Sequence, residues 1–460
     1  MKVALITPPS DLKLSDLCAP LNLCCLASYV RKTLPSVEVR IFDGLIKQDV
    51  KTFLQEYKPE IIGVTATTPQ APDAYKLLDW ANANFPNSLT LMGGIHASVL
   101  PEEAVKHADC VVKGEGEKAI VEIIEKRMSQ KSVPKIIEGV PLENLDDIPR
   151  PAFDLIDMKK YLSEPPSFPG LKEPVVTMVT SRGCPYKCPF CWNSARTFKV
   201  RYFSAQRIVD EILYFRKNYK VNTVWFADDE FLINNKRLAE LAALVNKYHI
   251  SDWLRWGCQA RANTIDLNTL ELAKSIGCVT ISVGFESGCA RTLDFLKCGT
   301  TTIADHERAL KLAREAGVTM GGSFIFGTPG ETFEEMRETL DWCENEKDLM
   351  WYGFNTLIPY PGTTVWRICQ DKKLLPRNVD YRRLVPTGVP SRTYIVNHDV
   401  PLEKYQRTLI YAGIAAWFFS QARQHRSLRH FFSMATQPTW WWMWLFHPRK
   451  MLKIISENHR

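Results

Sequence analysis

The sequence predicts an α/β protein made of two successive strand–helix series. Short apolar runs alternate with helix-like stretches over residues 1–130 and again over 171–375. Alternation of this kind is typical of parallel sheets whose strands are connected by helices. Between the two series, residues 131–170 are rich in proline and charge and show little periodicity, which predicts a linker. The last segment, 376–460, is predicted to be a helical extension.

The first series predicts an open, doubly wound parallel sheet. Helix-like stretches such as "LCCLASYVRKTL" and "DAYKLLDWANANF" separate its strand candidates. Strand ends at the carboxyl edge of such sheets supply ligand loops, and small residues let a backbone approach a ligand closely. Each of these strand ends alone could be an ordinary turn, but together they predict a ligand-binding edge. The strand candidates are "KVALITPP", "EVRIFDG", "EIIGVTATT", "LTLMGGIH" and "DCVVKGEGE".

The second series contains six strand candidates, too few for a closed eight-stranded barrel. A partial, open (β/α)6 barrel of the TIM type is therefore predicted for 171–375. Amphipathic stretches such as "SAQRIVDEILYFRKNY" and "NKRLAELAALVNKY" supply its helices. The strand candidates are "PVVTMVTS", "TVWFADD", "LRWGCQAR", "VTISVGFES", "TMGGSFIFGTPG" and "YGFNTLIPYPGT".

Composition indicates a folded protein of the cytoplasm. The 460 residues, 45% hydrophobic and 24% charged, are enough for two or three domains with substantial cores. The apolar run of "MKVALITPPSD" ends at two prolines, which indicates a first strand and not an export signal. Thirteen cysteines in such a chain predict reduced thiols, not a disulfide framework. The longest apolar tract, "LIYAGIAAWFF", is shorter than the roughly 20 residues of a membrane-spanning helix.

The positive charge of the chain is concentrated in its last forty residues. Residues 421–460 carry seven Lys or Arg and one Glu, which accounts for six of the seven net charges. A nucleic-acid-binding protein would carry a wider basic surface, so no nucleic-acid partner is expected. The same segment contains "PTWWWMWLFHPRK". Tryptophan and basic residues favour membrane interfaces, so this segment either touches a membrane or a lipophilic substrate, or forms a cap packed on the barrel.

The stretch "TSRGCPYKCPFCWNSA" contains Cys184, Cys188 and Cys191. Their offsets would share one helical face, but Pro189 disfavours a helix, so we expect a loop that gathers three thiols. Zinc would require a fourth ligand, usually from a second paired motif, and no second CxxC or HxxxH follows. Three thiolates suit a 4Fe–4S cluster with one open iron. A zinc knuckle and three buried structural cysteines remain the alternatives.

The Cx3Cx2C spacing, with Phe190 before the last cysteine, resembles the signature of radical S-adenosylmethionine (SAM) enzymes. The resemblance implies that the three cysteines bind three irons and that the fourth iron holds SAM. The motifs "ADDEF", "GFESG" and "SFIFGTPGE" follow in the family's order, with "ADDE" in place of its usual Gly-Gly-Glu. The alternative for the acidic stretch is a solvated turn. The implied SAM contacts are Phe190, Asp228, Asp229, Glu230, Glu286 and Gly327, with Gly321 and Gly322 allowing close approach to the SAM ring.

The amino-terminal domain, to about residue 125, resembles the cobalamin-binding module that precedes such barrels. The running order of "PPS", "FDG", "TATTP", "MGGIHAS" and "VVKGEGE" carries this resemblance. The Asp-x-His-x-x-Gly motif is absent, which implies cobalamin without a histidine ligand from that loop. Residues 65–70 are expected to form the floor of the cobalamin site. His96 is expected to be a hydrogen-bonding loop residue. The implied cobalamin contacts are Thr67, Thr68, Gly93, Gly94 and Glu115.

Together, the two resemblances imply a cobalamin-dependent radical SAM enzyme with a 4Fe–4S cluster, SAM and cobalamin as cofactors. The expected reaction is methylation of an unactivated carbon of a lipophilic small molecule. An electron donor such as flavodoxin or ferredoxin is the expected protein partner. The alternatives are an oxidative cyclase or another rearrangement without methyl transfer, and a non-catalytic sensor carrying cobalamin and an iron–sulfur cluster. No residue is assigned a catalytic role, and the substrate is not determined by the sequence.

Overall fold

The computed structural model describes residues 1–9, 18–162, 168–195, 199–385 and 392–424, and positions 441, 443 and 445. These residues form two six-stranded sheets, one in each strand–helix series, and one two-stranded ribbon. All strand pairs within the two large sheets are parallel. The predicted fold class is therefore confirmed, with helices as the connections between the strands.

The first sheet has the strand order β2-β1-β3-β4-β5-β6. Its apolar residues alternate between two buried clusters, because successive side chains of a strand point to opposite faces and both faces are covered by helices. The strands are β1 (Lys2–Thr7), β2 (Glu38–Asp43), β3 (Ile61–Thr65), β4 (Leu89–Gly93), β5 (Cys110–Gly114) and β6 (Ile136–Gly139). The helices are α1 (Leu21–Thr33), α2 (Val50–Tyr57), α3 (Ala71–Asn84), α4 (Ile95–Val99), α5 (Pro101–Ala104) and α6 (Glu117–Met128).

The order of this sheet reverses at β1. Ile6 pairs with Phe42 of β2 on one side and with Val64 of β3 on the other. The connections from β1 and β3 therefore leave in opposite directions, and a crevice opens at the carboxyl ends of the strands. Thr7 and Thr65, which end β1 and β3, lie at this crevice.

The segment predicted as a linker contributes to the packed structure. Strand β6 lies within it and pairs with β5 from Val111 to Gly114, and Leu142, Leu145 and Ile148 are buried against Phe203. The strand is only four residues long, with prolines just outside its two ends. A run this short leaves too little periodicity to be recognised in the sequence.

The second sheet has the order β7-β10-β11-β12-β13-β14, so neighbours in space follow the order of the chain. In the described residues β7 and β14 are its two edges, which confirms the predicted open partial barrel. Its strands are β7 (Val175–Met178), β10 (Thr223–Phe226), β11 (Arg255–Ala260), β12 (Cys278–Glu286), β13 (Thr319–Phe326) and β14 (Tyr352–Thr356). Its helices are α7 (Ala205–Tyr219), α8 (Asn235–Lys247), α9 (Leu267–Ser275), α10 (Ala290–Lys297), α11 (Ile303–Glu315), α12 (Phe333–Asn345) and α13 (Thr364–Asp371).

The cysteine loop is closed at its base by the two-stranded ribbon. Strand β8 (Ser181–Arg182) pairs antiparallel with β9 (Arg201–Tyr202). The ribbon brings the two ends of the loop together, so that the loop projects from the carboxyl end of β7.

The carboxyl-terminal extension contains helix α14 (Leu402–Gln424). Tyr405, Leu409 and Ala412 pack in one cluster with Phe326 of β13, and Phe418 joins the main core of the barrel. No helix among the described residues is long and apolar enough to cross a membrane. The predicted choice between membrane contact and a packed cap concerns residues that lie mostly outside the described ranges, so it stays a prediction.

Candidate active site

A cavity of about 730 Å³ lies between the carboxyl edges of the two sheets. Thr65 and Gly93 line it from the first sheet, and Cys191 and Asp229 line it from the barrel. Of the predicted site residues, it brings together Thr67, Gly93, Gly94, Glu115, Cys191, Asp228 and Asp229. The remaining predicted site residues, which do not line it, are Thr68, Cys184, Cys188, Phe190, Glu230, Glu286 and Gly327.

On the side of the first domain, two glycines end strand β4. A Cβ placed on Gly93 would have no atom within 4 Å, so the missing side chain leaves open space for a ligand. Gly94 has φ +92, and a Cβ there would lie 2.7 Å from Thr65 Oγ1. Thr67 is exposed and lines the cavity, whereas Thr68 is buried behind it. The structure therefore does not support the predicted cobalamin contact for Thr68.

Glu115 lines the cavity, but its carboxylate is already bound by two arginines. Arg182 Nη1 lies 3.0 Å from Oε2, and Arg201 donates to both oxygens. Burial raises the pKa of Glu115, and the hydrogen bonds and charges of Arg201 and Arg182 outweigh it, so the pKa is lowered overall. Arg182 Nη2 also lies 2.6 Å from Glu117 Oε1. Glu115 is thus an ionised partner of the arginines and has few acceptor positions left for cobalamin.

His96 forms a hydrogen bond, as predicted, but it lies in helix α4 and not in a loop. Its Nε2 lies 2.7 Å from the hydroxyl of Tyr75, and its ring is fully buried beside Tyr381. Burial lowers its pKa to about 4, with Glu103 acting in the opposite direction. The ring is therefore neutral, and it does not line the cavity.

The three cysteines lie on a loop without regular structure, followed by a 3-10 turn over Trp192–Ala195. The predicted loop is confirmed. Burial raises the pKa of Cys184 to about 11, and the nearby charges of Glu230 and Asp229 add to this rise. Burial also raises the pKa of Cys191, with further contributions that include Asp229 and Glu286. The thiols of Cys184 and Cys191 therefore stay protonated until a metal replaces the proton, and carboxyl groups lie near both of them.

The arrangement of donors fits a cluster better than a single ion. Among the described residues, no three His, Cys, Asp or Glu side chains converge closely enough to hold one metal ion. Zinc requires four donors around one point, whereas a cluster presents a separate iron to each thiolate. Arg261 Nη1 lies 3.2 Å from Cys188 Sγ, and a cationic donor of this kind suits a metal-bound thiolate.

Asp228 fastens the cysteine loop to the barrel. Its Oδ1 accepts from Thr180 N at 2.5 Å, and its Oδ2 accepts from Thr180 Oγ1 at 2.6 Å and from Ser181 Oγ at 2.7 Å. Arg237 Nη2 lies 3.4 Å from the same Oδ2. These contacts occupy the acceptor positions of Asp228. Its side chain therefore holds the strand that leads into the loop.

Asp229 and Glu230 differ from Asp228 in their surroundings. Asp229 is exposed on the cavity wall, and its Oδ2 accepts from Asn193 Nδ2 at 2.7 Å. Glu230 is 7% exposed, and its Oε2 has no hydrogen-bond partner in the described part of the chain. Burial raises the pKa of Glu230 to about 8, although Lys297 and Arg261 act in the opposite direction. Asp228 and Glu230 are buried, so two of the three acidic side chains in this stretch are shielded from solvent. This argues against the alternative of a solvated turn.

Glu286 ends strand β12 with φ +61, in the left-handed region that non-glycine residues seldom adopt. Its Oε1 accepts from Lys297 Nζ at 2.8 Å, and both side chains are buried. Local strain of this kind is often found at functional sites. The conformation keeps the Glu286 carboxylate next to Lys297 at the end of the strand.

Three of the predicted glycines are required by the packing of the barrel. A Cβ on Gly321 would lie 2.1 Å from Trp351 O, and one on Gly322 would lie 1.7 Å from Val283 O. These glycines are therefore needed for the approach of neighbouring backbone, and their predicted approach to SAM stays a prediction. At Gly327, with φ +89, a Cβ would lie 2.8 Å from the Tyr405 hydroxyl. Gly327 thus accommodates helix α14.

Phe190 is half-buried at the base of the barrel's last strand–helix step, and its predicted contact with SAM stays a prediction. Its ring packs in an apolar cluster with Leu357 and Val365 of the β14–α13 region, and Pro189 O accepts from Val365 N at 3.0 Å. The structure therefore shows Phe190 as an anchor of the cysteine loop.

Sequence reasoning missed the charged residues and the threonine that surround these groups. Most lie at or just after the strand ends that were singled out, so position at the carboxyl edge was the available signal. Their partners are far away in the chain, which motif spacing cannot show. The missed residues are Glu117, Thr180, Arg182, Arg201, Arg237, Arg261 and Lys297.

Two family models match this chain. The model of the radical SAM superfamily matches residues 178–343, and the model of the B12 binding domain matches residues 12–124. An uncharacterised methyltransferase of Pyrococcus horikoshii is 32% identical over 82% of this chain and 84% of its own length. The hopanoid C-3 methylase of Methylococcus capsulatus is 26% identical over 81% and 73%. The anaerobic magnesium-protoporphyrin IX monomethyl ester cyclase of Cereibacter sphaeroides is 30% identical, and the chain spans 54% of its length.

Solved structures share the fold. The methyltransferase TsrM of Kitasatospora setae, with cobalamin and a [4Fe-4S] cluster bound, superimposes with TM-score 0.68 at 18% identity, covering 100% of both chains. OxsB with aqua-cobalamin gives TM-score 0.70 at 17% identity, covering 98% of this chain and 76% of its own.

The fold and the cysteine loop define an enzyme of the radical SAM superfamily. The chain belongs to the cobalamin-dependent radical SAM family, with SAM, an iron–sulfur cluster and cobalamin as its cofactors. Within that family it is a methyltransferase-like enzyme. The predicted family and enzymatic nature are confirmed, as are SAM, cobalamin and an iron–sulfur cluster as cofactors, whereas the 4Fe–4S type of the cluster stays a proposal. The alternative of a non-catalytic sensor is not supported.

Proposed function

We propose that this enzyme methylates an unactivated carbon of an apolar small molecule held between its two domains. The observation that carries the proposal is one continuous cavity lined both by Gly93 of the cobalamin-binding domain and by Cys191 of the cysteine loop. When bound, the cluster supplies the electron that cleaves SAM to a carbon-centred radical, and cobalamin supplies the methyl group. The chain's own contribution is to hold and orient these groups around one substrate.

Cys184, Cys188 and Cys191 are proposed to hold the 4Fe–4S cluster as thiolates. Asp229 and Glu230 have acceptor oxygens close to the cysteine loop, and we assign them to the amino group of SAM. An ammonium group is a donor only, and Glu230 Oε2 has no hydrogen-bond partner among the described residues, so the Glu230 carboxyl suits it. Glu286, held by Lys297, is a further candidate for SAM. Asp228 acts through Thr180 and holds the loop in position.

The cobalamin-binding edge is proposed to be formed by residues 65–67, Gly93 and Gly94, at the switch point of the first sheet. Among the described residues that line the cavity there is no histidine. This supports cobalamin bound without a histidine nitrogen on the cobalt. Glu115 is proposed to have no direct contact with cobalamin, because its carboxylate is hydrogen-bonded to Arg182 and Arg201.

An apolar substrate is supported by the cavity wall, which carries Leu21, Leu26, Leu45, Ile95 and Phe203. Apolar walls with a few polar groups are typical of sites for small molecules. One relative is named for hopanoids and another for bacteriochlorophyllide d, but a third is a cytidylyl-2-hydroxyethylphosphonate methyltransferase. The relatives are thus named for substrates of different polarity. The proposal of an apolar substrate therefore rests on the apolar residues of the cavity wall.

The second candidate is an oxidative cyclase without methyl transfer. It is favoured by the relative from Cereibacter sphaeroides, which is 30% identical over 69% of this chain. Either reaction requires reduction of the cluster, and flavodoxin or ferredoxin remains the proposed electron donor.

The test uses anaerobic protein reconstituted with iron, sulfide and hydroxocobalamin, then reduced and given SAM with a deuterated methyl group. A methyltransferase is expected to form 5′-deoxyadenosine, to move the label onto bound cobalamin and to release S-adenosylhomocysteine. A cyclase is expected to form 5′-deoxyadenosine without label transfer. The variant Cys184→Ala serves as the control for cluster-independent breakdown of SAM. Absence of label on retained cobalamin would overturn the methyltransferase proposal.

A further inference from the structure

Arg261 follows strand β11, and its side chain is buried beside the cysteine loop. Only 3% of the residue is exposed. Its Nη1 lies 3.2 Å from Cys188 Sγ, and its guanidinium lies 3.9 Å from the centre of the Tyr186 ring. One face of the guanidinium is therefore covered by a residue of the loop while one edge points at a sulfur of the same loop.

The other N–H groups of Arg261 are bound by neutral oxygens. Nε lies 3.1 Å from both Asn263 Oδ1 and Thr301 Oγ1. Nη2 lies 3.4 Å from Lys297 O and also donates to Thr300 Oγ1. Because the guanidinium is a rigid plane, these contacts fix the direction in which Nη1 points. The hydrogen bonds of Nε and Nη2 therefore hold the guanidinium in place and keep Nη1 next to Cys188 Sγ.

The positive charge of Arg261 has no partner of opposite charge at ion-pair distance. Within the described ranges, no Asp or Glu oxygen lies within 4.0 Å of its guanidinium. Glu230 accepts from the backbone N–H of Arg261 and not from its side chain. A buried cation without an anion is costly. The missing negative charge would be supplied by a Cys188 thiolate bound to an anionic cluster.

We propose that Arg261 sets the reduction potential of the cluster through its hydrogen bond to Cys188. The inference rests on the proposed cluster at the three cysteines. Reduction adds one negative charge to a group already held by thiolates, and a neighbouring cation with an aimed N–H stabilises the reduced form. Hydrogen bonds to cluster sulfurs and local charge are among the factors that set such potentials. Arg261 therefore raises the potential and makes the cluster easier to reduce by a protein donor.

The first experiment is a potentiometric titration of the reconstituted full chain, followed by electron paramagnetic resonance (EPR) of the reduced cluster without SAM. Arg261→Gln is expected to shift the midpoint to more negative potential, and Arg261→Lys is expected to shift it less. Arg255→Gln is the matched control, because Arg255 is exposed at the opposite end of the same strand and loses the same charge. An unchanged or more positive midpoint in Arg261→Gln would overturn the inference.

A second measurement uses the wild-type chain and does not depend on a variant folding. Protein grown with guanidinium-15N arginine and reduced without SAM is expected to show weak 15N coupling in electron–nuclear double resonance of the cluster signal. Unlabelled protein is the control. A cluster signal without 15N coupling overturns the role of Arg261, whereas wild-type protein that binds no iron overturns the proposed cluster site itself.

Discussion

Arg182 Nη1 lies 3.0 Å from Glu115 Oε2, so the residue that leads into the cysteine loop is ion-paired with the end of a strand in the cobalamin-binding domain. The side chains are 20% and 8% exposed. Arg201, on the paired strand β9, holds the same carboxylate. The base of the cysteine loop is therefore fastened to the neighbouring domain by two arginines and one glutamate.

Glu115→Ala is expected to weaken the folded protein, because it leaves two largely buried arginines without this carboxylate. Removing one partner of a buried pair typically costs about 3 kcal/mol or more. The measurement is the unfolding free energy by denaturant, followed by fluorescence. Glu138→Ala, which removes an exposed pair with Lys113, is the control and is expected to change stability by less than about 1 kcal/mol. Equal effects of the two variants would contradict the assigned role of Glu115.

Cys184→Ala, Cys188→Ala and Cys191→Ala are each expected to lose the cluster, because a methyl group cannot replace a thiolate ligand. Iron content and formation of 5′-deoxyadenosine from SAM should both fall to background. Cys298→Ala is the matched control, since Cys298 is exposed, contacts the backbone of Lys187 in the same loop and is not assigned to the cluster. Full SAM cleavage by a variant with all three cysteines replaced by alanine would contradict the assignment of these cysteines to the cluster.

Bound cobalamin is expected to show no histidine nitrogen on the cobalt, because no described residue lining the cavity is a histidine. The measurement is EPR of the protein reconstituted with hydroxocobalamin and reduced by one electron. His96→Ala should leave the spectrum unchanged, since His96 is bound to Tyr75 outside the cavity. A spectrum with coupling to a histidine nitrogen would refute the proposed mode of binding.

Glu331 is expected to make the stability of the protein depend on pH. Burial raises its pKa from 4.5 to about 8 despite hydrogen bonds from the backbone N–H groups of Gly327 and Thr328. A carboxyl whose pKa is raised by folding stabilises the folded state fully below its unfolded pKa, and the effect is lost as pH rises through the folded pKa. The melting temperature should therefore fall between about pH 5 and 8 by an amount that Glu331→Gln removes.

The control for this prediction is Glu334→Gln, which makes the same change at an exposed position three residues away. It should leave the pH dependence as in the wild type. An identical pH profile in wild type and Glu331→Gln would show that Glu331 does not titrate in this way.

Much of the fold could be predicted from short local patterns in the sequence. The six strands of the barrel, five of the six strands in the first sheet and the loop at Pro189 follow from periodicity and proline chemistry over a few residues. The spacing of Cys184, Cys188 and Cys191 is likewise a property of one short segment, which is why it pointed to the family. Strand β6 was missed because four residues between prolines have almost no pattern.

Only the tertiary structure decided what the polar groups do. Glu115 had been assigned to cobalamin, yet it meets arginines 67 and 86 residues away in the chain. Asp228 binds Thr180, and Arg261 reaches Cys188 across 73 residues. A buried charge or N–H group without a partner is costly, so each one pairs with a group that the fold places next to it. A local pattern can place a residue at a strand end, but the choice of partner depends on the other strands that end there.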